Sequence, residues 1–312
     1  IIYSDFMKVK GFFLSKNITL DQYLQKLKTI GFQATEVYKA AKLIEKIKKS
    51  KATIFLTFTS NMVSSGLRET FAQLCKEKKV HLIITSIGSV EEDIMKTMCD
   101  FELCEFSEND EVLFSKSKNR VGNILIPNKC YIKLEKFLNR FFEKELNKQR
   151  SLNRALAPHE IIRDLGKEIN DESSFVYWAA RNNIPVFCPA PTDGAFGLML
   201  YFFKQKYHEF VIDASGDLAP LSQIVLDSKK TAGIILGGGV AKHHAIGANI
   251  LREGFDYAIY ISTATEYDGS LSGALPTEAK SWGKIKTRAN VVNIHSEASL
   301  VFPFLALKLI ED

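Results

Sequence analysis

Between residues 266 and 286 the chain reads EYDGSLSGALPTEAKSWGKIK, which sets Lys284 directly behind Trp282 and Gly283 and close to Glu278. An aromatic wall strips water from an ammonium group and disfavours its charged form, and a lysine made neutral in this way can attack a carbonyl carbon to form an imine. A solvated surface lysine is the competing reading, and composition favours it. The run GGGVAKHH, Gly237 to His244, is a second chemical feature. Glycines after an apolar strand let the backbone approach a pyrophosphate closely. A tight strand-to-helix turn with no ligand fits equally well, because the spacing is not GxGxxG. His243 and His244 follow at the start of the helix, at the mouth of any crevice there. Glu91 and Glu92 open another helix, where the helix dipole accounts for acids without any function. Asp193, between Thr192 and Gly194, reads most simply as a turn residue.

The positions of these residues depend on a set of short, almost continuously apolar runs: ATIFLTF, VHLIITS, IPVFCP, EFVIDA, TAGIILG, DYAIYIST and ANVVNIH. Such runs are strands covered on both faces, and most are separated by segments of helical period. The expected fold is therefore α/β, a doubly wound and largely parallel sheet. In such a sheet ligands gather at the carboxyl ends of strands, where loops meet helix N-termini. The loops at 59–66, 86–93, 192–197, 237–244 and 264–274 all occupy that position and describe one crevice. A helical preface over 1–50 precedes the sheet. Thr19 caps a first helix with Leu20, Tyr23, Leu24 and Leu27 on one face and Gly31 as its stop, and a second helix runs through Val37, Ala40, Ala41, Ile44 and Ile47. Residues 100–150 are less regular, with SENDEVLFSKSKNR read as a polar surface loop before a helix around Leu134 to Leu146. With no internal repeat and no long linker, residues 1–312 are expected to form one domain.

The chain has 312 residues, 46% of them hydrophobic and 25% charged, enough to bury a large core and too apolar for a disordered chain. The net charge of +5 comes from scattered lysines, which argues against an obligate nucleic-acid surface. Five cysteines, Cys75, Cys99, Cys104, Cys130 and Cys188, include no CxxC pair. They are expected to be reduced thiols, with no disulfide and no metal site. No apolar run has the length of a signal peptide or a membrane span, so a cytoplasmic protein without membrane contact is expected.

The blocks TSNMVSSGLRET, GSVEEDIMKT, GKEIND, IPVFCPAPTDGAFG, ILGGGVAKHH, YDGSLSGALPTEAKSWGKI and EASLVFP together resemble the deoxyhypusine synthase family, in its order, from about Gly31 to the C-terminus. The resemblance implies a Rossmann-like NAD site and an NAD-dependent aminobutyltransferase. Such an enzyme oxidises spermidine, releases 1,3-diaminopropane, carries the aminobutyl group as an imine on a lysine, and passes it to a lysine of the translation factor 5A precursor. By this resemblance Lys284 is the imine-forming lysine and His243 carries protons. NAD contacts fall on Ser60, Asn61, Ser64, Ser86, Ile87, Gly88, Glu92, Asp193, Gly238, Thr263, Ala264, Glu297 and Ala298. Amine contacts fall on Glu91, Glu92, His243, Gly269, Ser270, Glu278 and Trp282. A homotetramer built as a dimer of dimers is also implied.

The chain departs from the family pattern at several points. Leu198 and Leu271 stand where eukaryotic members carry aspartates that hold the charged nitrogens of the amine. Ser89 replaces a glycine and Glu297 replaces an aspartate, and a compact, archaeal-type member without the N-terminal extension of eukaryotic enzymes is expected. The competing functions are homospermidine synthase-like transfer to a free diamine and a non-catalytic regulatory paralogue within a hetero-oligomer. Lys284, Trp282, Glu278 and His243 speak against the second of these.

Overall fold

Apolar side chains alternate across every central strand, and that alternation builds two helix-covered faces. The computed structural model describes residues 6–311. Its strands are β1 (Thr53–Phe58), β2 (Leu82–Thr85), β3 (Glu102–Leu103), β4 (Lys118–Val121), β5 (Ile124–Pro127), β6 (Val186–Phe187), β7 (Thr231–Leu236), β8 (Phe255–Ser262) and β9 (Ile285–His295). Six of them form a sheet in the order β6-β2-β1-β7-β8-β9, and every pairing within it is parallel. Leu56 lies beside Ile234 and Ile234 beside Ile259. These residues face one core with Phe58, Phe71 and Phe302. Their neighbours Phe55, Ile235, Ala258 and Tyr260 face a second core with Ala241, Ala245, Ile246 and Ala279. Both faces are thus dry, and this is why the strands read as continuous apolar runs. Burying one such phenylalanine contributes about 1.5–3 kcal/mol.

The doubly wound parallel sheet was legible in the sequence, and the structure shows it. Local differences have simple causes. EFVIDA is not a strand of the sheet: Ile212 makes only an isolated bridge to Leu156, and Asp213 caps the turn Ala214–Asp217. In the preface, Thr19 caps the helix Leu20–Leu27 through a reciprocal capping box with Gln22. Gly31 does not stop that helix. With φ +99° it begins the next one, Phe32–Ser50, a backbone geometry that glycine adopts without strain. The polar stretch near residue 110 is ordered, with a helix Asp110–Ser115 capped by Asn109. Strands β3, β5 and β4 form a small antiparallel sheet beside it, followed by the long helix Asn128–Leu152. The cysteine expectation is also corrected, since Cys99 and Cys130 form a disulfide with Cα atoms 5.6 Å apart. Their separation of 31 residues gave no sequence signal, and only the packing of the long helix brings them together. Cys75 and Cys188 are buried free thiols. Among the described residues no helix is long and apolar enough to cross a membrane.

Candidate active site

From β1 the sheet grows outward through β2 and β6, then the chain returns at β7 and grows the other way. The point of reversal lies between the carboxyl ends of β1 and β7, where open α/β sheets place their ligands. Thr59 and Gly237 meet there. A side chain at Gly237, whose φ is +77°, would lie 3.0 Å from Thr59 Oγ1. One strand over, a side chain at Gly88 would come within 2.9 Å of Ser60 Cβ, so the loops after β1 and β2 are packed together. The helix Ile87–Lys96 begins at Ser86 without a side-chain cap. Ser86 Oγ is buried and has no hydrogen-bond partner in the protein. Gly239, at φ +63°, has open space where a side chain would be. Uncapped helix N–H groups, an unsatisfied hydroxyl and open space over a glycine turn suit an anionic group.

Two buried carboxylates, Glu91 and Glu92, lie beside these loops; they stand on the second turn of the Ile87–Lys96 helix and do not open it, so the helix dipole at its first turn does not account for them. Glu91 accepts hydrogen bonds from the backbone N–H groups of Phe196 (2.6 Å) and Ala195 (3.3 Å), and so caps the helix Gly194–Lys206. Burial pushes Glu91 up to about 6 against those bonds. Glu92 accepts from Ser64 Oγ at 2.5 Å. Burial, with help from the charge of Glu91, pushes Glu92 up to about 7. Beneath them Asp93 pairs with Arg68 at 2.6 Å and accepts from Ser174 Oγ, a buried ion pair that fixes the helix. Asp193 is exposed and caps its own helix through Gly194. At the far side, Glu297 caps the helix Ala298–Ile310 by accepting from the N–H groups of Ser299 and Leu300. Asn61 and Thr263 are exposed, and Ala264 N–H donates to Ser262 Oγ.

Lys284 is reached through a local turn. Pro276 opens the short helix Pro276–Ser281, and Gly283, at φ +66°, ends it. Lys284 N–H then donates to Ala279, while its carbonyl accepts from Phe255 N–H at the start of β8. Its side chain lies on the second-core face of the sheet. There it lines a cavity of about 20 Å³ with Lys242, Tyr260, Leu271, Glu278 and Trp282. That space holds about one water. The Trp282 wall differs from expectation: Trp282 is 65% exposed, and its ring centroid lies 5.1 Å from Lys284 Nζ. A ring face at that distance attracts a cation.

The buried lysine of this cavity is Lys242, which sequence reasoning missed. It is only 2% exposed, and burial pushes it down to about 8, with Glu278 opposing. Its position inside GGGVAKHH was the available signal. His243 is exposed one residue further on, whereas His244 is half-buried with an unpartnered Nε2. Gly238 also differs from its sequence reading. Its φ of −147° requires no glycine, yet a side chain there would lie 2.5 Å from Ser272 Cα. The close approach is made by the loop after β8. Gly269 and Ser270 are exposed in that loop, with Ser270 N–H donating to Asp268.

A parallel sheet in this order, with acids and glycine turns at its carboxyl ends, has the strand order of dinucleotide-binding α/β proteins. The chain belongs to the deoxyhypusine synthase family: the family model described as deoxyhypusine synthase matches residues 22–309. It is 45% identical to a Pyrococcus abyssi protein named "Probable deoxyhypusine synthase", over 96% of this chain and 93% of that one. It is 42% identical to the "Deoxyhypusine synthase" of Neurospora crassa, over 96% and 88%. The crystal structure of a "putative deoxyhypusine synthase" from Entamoeba histolytica superposes with a TM-score of 0.68 at 29% identity, covering 96% of each chain.

Proposed function

We propose that the chain is a deoxyhypusine synthase that transfers the aminobutyl group of spermidine to a lysine of the translation factor 5A precursor, holding it between the two steps as an imine on Lys284. The observation that carries this reading is contiguity. The loop whose Leu271 and Ala274 line the Lys284 cavity also packs its Ser272 on Gly238 of the strand-end turn. An amine-reactive side chain thus adjoins the crevice.

NAD fits the strand ends because Ser86 Oγ is buried without a partner at the uncapped start of the Ile87–Lys96 helix, and Gly239 leaves open space in the turn after β7. Held there, NAD would supply the hydride-accepting and hydride-returning chemistry of the transfer. The protein's own residues do the rest. Lys284 adds to the oxidised carbon as 1,3-diaminopropane leaves, and its departure on the acceptor lysine restores the free amine. Glu92 supplies negative charge once deprotonated, and the Trp282 face with Glu278 offers an ammonium two partners. His243, exposed beside Lys242, carries protons to and from the amine. Leu198, Tyr201 and Phe202 form an exposed apolar row on the Gly194–Lys206 helix, which supports assembly into a homotetramer.

Leu271 in the cavity wall favours a second reading in which the amine is not spermidine or the acceptor is a free diamine. The chain is incubated with NAD and labelled spermidine, with and without the factor 5A precursor. Label on the precursor supports the first reading, a free labelled polyamine the second, and no transfer at all overturns both.

A further inference from the structure

The loop after β8 is exposed from Thr265 to Ser270, and its own hydrogen bonds are short-range turns, Gly273 to Ser270 and Ala274 to Leu271. Hydrogen bonds from Gly239 and Lys242, both on the Gly239–Ala248 helix after β7, tie it to the rest of the protein. Gly239 N–H donates to Ser272 Oγ at 3.1 Å. Lys242 Nζ donates to the carbonyls of Ala274 (2.7 Å) and Ser272 (3.3 Å), while standing 4.6 Å from the Tyr260 ring centroid. We propose that Lys242 is a positioning residue: its ammonium clamps this loop to the Gly239–Ala248 helix and so holds the wall against which Lys284 and Glu278 receive the amine.

Three features support the assignment. A lysine this deeply buried is kept only with partners, and here they are carbonyls of a single loop. Bonds from a charged donor are stronger than those between neutral groups, so the clamp adds to the packing of Leu271 on the second core and of Ser272 on Gly238. Engagement with two carbonyls and a ring face also occupies the ammonium as a cation, which leaves imine formation to Lys284 in the same cavity. The same burial lowers Lys242 from the ordinary lysine range.

The proposal rests on the aminobutyl-transfer reading for its substrate, and the test separates the two. Wild-type protein, Lys242→Met and Lys242→Arg are incubated with NAD and labelled spermidine and reduced with borohydride. Label is mapped by peptide, and amide hydrogen exchange is followed over 266–275. Lys242→Met should raise the spermidine concentration for half-maximal trapping about ten- to hundredfold and speed exchange in 266–275, while exchange in the Ile87–Lys96 helix is unchanged. Lys242→Arg, which keeps a cation able to reach the carbonyls, should recover most of the trapping. If Lys242→Met does not fold, Lys242→Gln carries the same comparison. Unchanged half-saturation with unchanged exchange, or label mapping to Lys242 in the wild type, overturns the clamp. A wild type that traps nothing sinks the transfer reading instead, and the exchange comparison still decides the clamp.

Discussion

Ser64 Oγ donates to Glu92 Oε2 at 2.5 Å, which ties the short helix Asn61–Ser64 after β1 to the helix after β2 and leaves a buried carboxyl beside Glu91. Glu92 is held up near 7 chiefly by burial. A carboxyl raised in the folded state binds its proton more tightly there than in the unfolded chain. Its contribution to stability is complete below the unfolded value near 4.5 and is lost as pH rises through about 7. Denaturant titration should show stability falling between pH 5 and 8, and Glu92→Gln should remove on the order of 2 kcal/mol of that fall. An equal slope in wild type and variant refutes the assignment. If Glu92 holds an ammonium group when charged, amine capture should rise over the same interval.

Lys284→Arg keeps a cation beside Trp282 and cannot form an imine. Borohydride trapping with NAD and spermidine should label the wild type and fall at least a hundredfold in the variant. Equal label in both would place the covalent step on another residue.

Any side chain at Gly238 must displace Ser272, since its Cβ would lie 2.5 Å from Ser272 Cα. Gly238→Val should cost about 1–3 kcal/mol in chemical denaturation through overpacking and weaken NAD binding by calorimetry. Trapping on Lys284 should fall as well, because the displaced loop is also the cavity wall. Full trapping together with lost NAD affinity would show that the glycine serves the cofactor alone.

Leu271 lines the Lys284 cavity, whereas Leu198 is exposed on the Gly194–Lys206 helix. A polyamine in a closed site needs a partner for each desolvated ammonium. Leu271→Asp should therefore tighten apparent spermidine affinity about ten- to hundredfold, the worth of one hydrogen bond to a charged group. Leu198→Asp should do so only if a second subunit closes over it. Turnover across a panel of diamines and triamines checks both, and tight spermidine use by the wild type with no gain in either variant removes the charge argument.

The apolar runs by themselves determined the parallel sheet, because a strand dry on both faces has no position for polar residues and reads the same wherever it pairs. They also bring the glycine turns and acids that follow such strands to the carboxyl edge of the sheet. EFVIDA fell outside this rule: Phe210 and Ile212 pack in the first core without joining the sheet, while Val211 is exposed. What only tertiary structure decided are relationships between residues distant in the chain. Cys99 meets Cys130 because the long helix folds back beside it. Glu91 is occupied by the N–H groups of Ala195 and Phe196, which no local pattern reveals. Trp282 stands mostly open to solvent while Lys242 is buried, although the sequence marks Trp282 as the wall. Which of two lysines loses its water depends on what the β8 loop covers once Ser272 has settled on Gly238, and a chain read in order carries no record of that packing.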